Sequence, residues 1–221
     1  MLPMEEYFDL SNSPHREYLE SKTNLWEAVG DLDSYIEQLF LNPPHGFTQK
    51  NNLLVGPDLD LDPNAKIVGR AVIGKGTTVK DGALLRNGVI IGENCTIGHA
   101  SEVKHSLILN KTNVAHLNYV GDSLIGSKVN LAAGVVLANF KNGSKNPEVF
   151  VEIQGQKINT GMQKLGAIVG DNSKIGSNVV TDPGTIIGKN TLIYPLAPIR
   201  GTVSSNKIVK FKPPLEIVEK E

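Results

Sequence analysis

The stretch Ile67-Val68-Gly69-Arg70-Ala71-Val72-Ile73-Gly74-Lys75-Gly76-Thr77-Thr78-Val79 places an aliphatic residue at every sixth position, Ile67, Ile73 and Val79. Followed outward, the same beat runs without a miss from Val55 and Leu61 through Leu85, Ile91 and Ile97 to Val103. Four places after each aliphatic stand Leu59, Ala65, Ala71, Thr77, Ala83, Val89, Cys95, Ser101 and Leu107, most of them small. The beat resumes at Val169, Ile175, Ile187, Ile193 and Ile199, with Thr181 filling the one gap. A period of six is neither the 3.6 of an amphipathic helix nor the alternation of a half-buried strand. It fits a short strand, a corner and another short strand, with the aliphatic residue pointing inward and the small residue inside near the corner. Three such units close a triangular coil, and coils stack as parallel strands about 4.8 Å apart. The expected fold is all-β, a parallel β-helix of hexapeptide repeats.

Between the two clean runs the register continues through Ile108, Val114 and Val120, then Ile125, Leu131 and Leu137, with the units Val103 to Ile108 and Val120 to Ile125 one residue short. From 141 to 166 the beat is lost. Val149-Phe150-Val151-Glu152-Ile153, Gly155 and Lys157-Ile158-Asn159-Thr160-Gly161 read as a two-stranded excursion, and a long insertion in a compact scaffold is a functional candidate. Residues 1–50 differ in kind. Ser13-Pro14 reads as the start of one helix. Asn24 with Glu27 resembles a capping box for a second, whose Leu25, Val29, Leu32, Ile36 and Leu39 form one apolar stripe. The expected organisation is a helical cap over 1–50 protecting the open edge of the first coil, a β-helix over 51–205 with the insertion 141–166, and a tail over 206–221.

Lys+Arg 22 against Asp+Glu 23 gives a net charge of -1, a balance that argues against nucleic-acid and electrostatic membrane binding, since both need a basic excess. Cys95 is the one cysteine, so neither an internal disulfide nor a cysteine-based zinc cluster is open to the chain. No apolar run approaches the roughly 18 residues of a membrane span, and the acidic start Met4-Glu5-Glu6 is unlike a secretory signal. A cytoplasmic location is the expectation.

The register sorts side chains. Arg86, Glu102, Lys104, His116, Tyr119, Asn130, Asn139 and Ser177 all fall outside the inward positions. Arg86 follows Leu85 and Lys104 follows Val103, so the two cations stack one coil apart, where an anion between them would relieve their repulsion and a phosphate is the natural one. Glu102, His116 and Tyr119 are expected on a different face. A carboxylate, an imidazole and a phenol beside a pair of cations suggest a polar ligand site. Taken singly, each is a solvated surface residue.

The hexapeptide pattern resembles that of left-handed parallel β-helix proteins, and the hand comes from that resemblance. The segments Glu102-Val103-Lys104, Ala115-His116-Leu117-Asn118-Tyr119-Val120-Gly121-Asp122, Val129-Asn130-Leu131-Ala132-Ala133-Gly134 and Asn139 resemble the acetyltransferase domain of bacterial bifunctional N-acetylglucosamine-1-phosphate uridylyltransferase / glucosamine-1-phosphate acetyltransferase, over about residues 55–205. The stretch from Thr160 to Asn172 is more similar to the archaeal sugar-phosphate branch. The resemblance implies a homotrimer with sites between subunits that moves acetyl from acetyl-CoA to the amine of glucosamine 1-phosphate, without a metal. His116 would be the general base, suited by an imidazole pKa near working pH. Arg86 and Lys104 would hold the sugar phosphate; Glu102, Tyr119 and Asn130 would bind the sugar and orient the amine; Asn139 and Lys145 match further substrate contacts. Ala133 and Ser177 match positions near the CoA arm and thioester, where donors could steady an oxyanion.

Phe140 departs from the family's usual tyrosine, and the sequence contains no Gly-x-Gly-Thr-Arg-type nucleotidyltransferase loop, so nucleotide transfer is not expected of it. The acceptor stays open between glucosamine 1-phosphate, another amino sugar and a hydroxyl, and a non-catalytic assembly scaffold is the alternative of a different class. A carbonic-anhydrase-like zinc site is disfavoured because His99, His105 and His116 do not show the required close pair.

Overall fold

The computed structural model describes residues 3–143, 145, 147–214 and 216–220. The hexapeptide chain winds into a three-sided prism whose coils pair in parallel. The first face stacks Leu53–Val55, Ala71–Ile73, the second halves of Leu84–Ile91 and Glu102–Ile108, then Leu124–Ile125, Ala167–Val169, Thr185–Ile187 and Thr202–Val203. The second face stacks Asp60–Leu61, Thr78–Val79, Thr96–Ile97, Asn113–Val114, Asn130–Leu131, Lys174–Ile175, Leu192–Ile193 and Ile208–Val209. The third stacks Lys66–Val68, the first halves of Leu84–Ile91 and Glu102–Ile108, then Tyr119–Gly121, Val136–Leu137, Val180–Thr181 and Pro198–Ile199.

The six-beat residues fill the prism. Ile73, Val79, Leu85, Ile91, Ile97, Val103, Val114, Val120, Ile125, Leu131 and Leu137 are all buried in one apolar cluster, with Val55, Leu61 and Ile67 of the first coil packed at its end. Corners turn through left-handed backbone. One corner repeats it at Asp58, Gly76, Asn94, Lys111, Lys128, Asn172, Asn190 and Asn206, mostly the residue types that tolerate it best. One inward assignment fails: the short unit after Val103 shifts the register, so Ser106 pairs with Val89 and occupies the interior, while Leu107 pairs with the outward Ile90. The hairpin in the insertion is present as Phe150–Ile153 against Gln156–Asn159.

The helices do not sit where the sequence suggested. Helices α1 (Arg16–Glu20), α2 (Glu27–Gly30) and α3 (Leu32–Leu41) lie on the outer side of the first face, with α3 against Leu84–Ile91 and Glu102–Ile108. The open edge of that face is instead met by the antiparallel strand Thr48–Lys50. The reason is a second core. Leu54, Val72, Ile90, Leu107, Leu124, Ile168 and Ile186 point outward from the first face and are buried under Phe8, Leu19, Leu25, Val29, Leu32 and Ile36, with Val149, Val151 and Ile153 of the insertion. Each aliphatic side chain so covered contributes about 1.5–3 kcal/mol. Asn24 and Thr23 both donate to the Glu27 carboxylate, at 2.7 and 2.9 Å, the glutamate half of the expected capping box. The stripe beyond it is broken at Asp31 into two helices. Among the described residues, no helix is long and apolar enough to cross a membrane.

Candidate functional site

The third face carries most of the expected site residues. Residues on either side of each inward aliphatic point outward, so the face carries two outer columns. One runs Leu84, Glu102, Tyr119 and Val136; the other runs Val68, Arg86, Lys104 and Gly121. Glu102 and Tyr119 therefore share a face with Arg86 and Lys104, contrary to the expectation that they lie on another. Both neighbours of Val103 project from the same strand, one on each side of it.

The stacked cations are already compensated. Arg86 Nε donates to Glu102 Oε1 at 2.7 Å. Lys104 Nζ donates to both oxygens of Asp122, at 2.8 and 2.6 Å, and the pair is buried, with Lys104 8% and Asp122 5% exposed. The Asn139 side-chain amide donates to the same carboxylate. The expectation that an anion must sit between Arg86 and Lys104 is thus corrected: each has its own carboxylate. Asp122 was missed as a site residue. Only the burial of Lys104 points to it, since a lysine withdrawn from water requires a carboxylate beside it.

Tyr119 folds back over Gly121, where an added Cβ would come within 2.6 Å of the phenol oxygen and 2.8 Å of Asn139 Nδ2. Glycine here leaves room for the ring. The phenol pKa is raised above its ordinary value, chiefly by burial and then by the Asp122 and Glu102 carboxylates, while Arg86 and Asn139 act in the opposite sense.

His116 stands at the corner where the second face turns into the third. A ladder of backbone hydrogen bonds climbs this corner: Leu117 N–H donates to His99 O, Gly134 N–H to His116 O, Asn178 N–H to Ala133 O and Leu196 N–H to Ser177 O, each at 3.0 Å. His116, Ala133 and Ser177 consequently occupy equivalent places on successive coils, about 4.8 Å apart per step. The residues expected at the reacting amine and at the thioester share one edge of the prism. The His116 imidazole is exposed. Across the third face from this corner lie Tyr119 and Glu102, then Arg86 and Lys104, then Asp122 and Asn139.

Asn130 is not part of that band. It projects from the second face, where its Oδ1 accepts from Asn113 Nδ2 at 3.0 Å. Lys145 is exposed at the start of the insertion, and Phe140 follows Asn139 with its ring 39% exposed. His99 and His105 are committed elsewhere. His99 Nδ1 lies 2.9 Å from Asp81 Oδ2, and His105 bridges Asn87 O and Val29 O at 3.0 and 3.1 Å. Among the described residues no three metal-ligating side chains gather at one place.

A family model described as the GMPPB C-terminal domain matches residues 67–163, and one described as the hexapeptide repeat of succinyl-transferase matches 166–193. A bifunctional sugar-1-phosphate nucleotidylyltransferase/acetyltransferase of Sulfurisphaera tokodaii is 36% identical over 179 residues, covering 72% of this chain and 44% of that protein. The bifunctional protein GlmU of Methanococcus maripaludis is 38% identical over 138 residues, covering 62% of this chain and 33% of the relative. The chain spans less than half the length of these relatives. Its relatives are thus bifunctional sugar-1-phosphate nucleotidylyltransferase/acetyltransferases, and the similarity covers their C-terminal acetyltransferase region.

Proposed function

We propose that this chain transfers an acetyl group from acetyl-CoA to the amine of an amino-sugar phosphate, with glucosamine 1-phosphate as the first acceptor to test. The observation that carries the reading is the adjacency of the exposed His116 imidazole to a band of polar side chains on one flank and to Ala133 and Ser177 along its own edge. A sugar ammonium passes a proton to His116, the freed amine nitrogen attacks the thioester carbonyl, the carbon–sulfur bond breaks and CoA leaves as the thiol. Net release is one proton, handed from the imidazole to solvent. Ala133 N–H or the Ser177 hydroxyl steadies the negative charge that builds on the thioester oxygen.

The acceptor's phosphate meets Arg86, whose guanidinium has donors beyond the Nε used by Glu102. Lys104 supplies such a contact only by giving up part of Asp122. Tyr119 and Glu102 receive sugar hydroxyls between the phosphate and the amine, with Asn139 and Lys145 at the margin. Asn130 faces away from this band, so in the proposed assembly it is brought to the site of a neighbouring copy, as in a homotrimer with sites between subunits. No metal enters the chemistry.

A thiol-release assay with acetyl-CoA against a panel of amino-sugar phosphates tests the reading. His116→Ala should lower turnover by roughly 10²–10⁴-fold with fold and assembly retained. Wild-type-like turnover in that variant would remove His116 from the mechanism, and no thiol release with any acceptor would remove the reaction.

A further inference from the structure

On the third face Lys104 is saturated by Asp122, but further cations stand along the prism. The outer column that carries Arg86, Lys104 and Gly121 continues through Ala138 and Asp182 to Arg200. Above Ala138 it forms the floor of a groove of about 730 Å³, walled by Phe140–Gly143 and by Phe150, Val151, Glu152 and Lys157 of the insertion hairpin.

The groove has two exposed rings and three cations. Phe140 and Phe150 are each 39% exposed. Lys141 Nζ lies 5.3 Å from the centre of the Phe150 ring. Arg200 Nε sits 3.4 Å from Asp182 Oδ2, with both side chains largely in solvent, and Lys157 has no carboxylate within ion-pair distance among the described residues. Glu152 and Asp182 are the opposing acids, leaving one net positive charge. Partly exposed phenylalanine rings beside surface cations offer a stacking surface and phosphate donors together.

We infer that this groove binds a nucleoside diphosphate group, its base against Phe140 and Phe150 and its phosphates at Lys141, Lys157 and Arg200. From Ala138 the polar band at Tyr119 is about 5–10 Å away, one or two coil steps, within reach of a sugar attached to such a group. A nucleotide-linked amino sugar is then a second class of acceptor beside the free sugar phosphate that Arg86 would hold. The same chemistry is also offered by the 3′-phospho-ADP end of the acyl donor, and the two sources separate by experiment. The inference rests on the acyl-transfer reading for what is attached to the nucleotide, not for the nucleotide site itself.

Calorimetric titration of the full chain with UDP and, separately, with 3′-phospho-ADP tests the site without turnover. Phe150→Ala should weaken the bound nucleotide by roughly 5- to 100-fold, the range of base–aromatic stacking. Lys157→Glu should weaken it about tenfold or more by reversing a charge. Both side chains are on the surface, so neither variant puts the fold at risk. Binding of UDP assigns the groove to the acceptor; binding of 3′-phospho-ADP alone assigns it to the donor; either supports the site. Absence of binding by both nucleotides at millimolar concentration overturns it. So does binding that neither variant weakens, or orthophosphate binding as tightly as UDP. Loss of thiol release with every acceptor while nucleotide binding persists would sink the acyl-transfer reading and leave the groove standing.

Discussion

At position 121 the absence of a single methyl group sets the posture of Tyr119. Gly121→Ala would press a Cβ to 2.6 Å from the phenol oxygen, so the ring must leave its place above the strand. Acetyl transfer should fall by about 10- to 100-fold, since a displaced positioning group costs that order, while the circular dichroism spectrum stays that of the parent. An unchanged rate would show that Tyr119 does not act from this place. Asp122 gives a stability prediction of the opposite kind. Asp122→Asn leaves Lys104 buried without a counter-charge and should cost about 3–5 kcal/mol in urea unfolding; Lys104→Met on that background should restore much of it. A loss below about 0.5 kcal/mol would mean the pair is effectively solvated. The outward pointing of Arg86, Glu102, Lys104 and Tyr119 was legible, because each flanks an inward aliphatic. Their common face was not, and neither was the Lys104–Asp122 pair, because it joins a strand to the corner of the next coil and no short-range spacing encodes that.

The strands and the prism core were legible because the interior selects residue size at a fixed beat. The position of the helices was legible too. Residues between inward positions on the second face are Asp60, Thr78, Thr96, Asn113, Asn130 and Lys174, with Leu192 and Ile208 only in its last two coils, whereas on the first face they are Leu54, Val72, Ile90, Leu107, Leu124, Ile168 and Ile186 throughout. A strand apolar on both sides is covered on both sides. The helical cover also carries a pH dependence. His15, buried at the start of α1 with Nδ1 2.8 Å from the Tyr35 hydroxyl, has its pKa lowered by desolvation to about 4. In the unfolded chain the imidazole takes up a proton near pH 6.5. Stability is therefore full above that pH and is lost as pH falls toward about 4, by on the order of 3 kcal/mol over the window. Thermal unfolding followed at Trp26, which lies in this cover, should show the loss in the parent and little of it in His15→Phe. Equal acid sensitivity of both proteins would assign it to other groups.

For the molecule as a whole, the helices and the insertion hairpin cover the first face, the hairpin also borders one end of the third, and the corner between the second and third faces is left free. Apolar side chains stand exposed along the corner between those two, Leu117 at 63% and Leu196 at 58%, with Val180 and Tyr194 beside them. A cyclic assembly that sets the second face of one copy against the third face of the next would cover this corner and carry Asn130 to the Arg86–Tyr119 band. The proposed homotrimer then has a consequence that separates a shared site from one contained in a single chain. His116→Ala and Asn130→Ala variants, each poorly active alone, would regain function when coexpressed, because some interfaces pair an intact His116 from one copy with an intact Asn130 from its neighbour. With random mixing, about a quarter of the interfaces are of that kind, so the mixed sample should recover about a quarter of the parent rate. Light scattering should give three copies per particle, and Leu117→Asp with Leu196→Asp should yield single chains without acetyl transfer. A mixed sample no more active than the average of its two components would place the whole site within one chain, and the proposed trimer would lose its catalytic purpose.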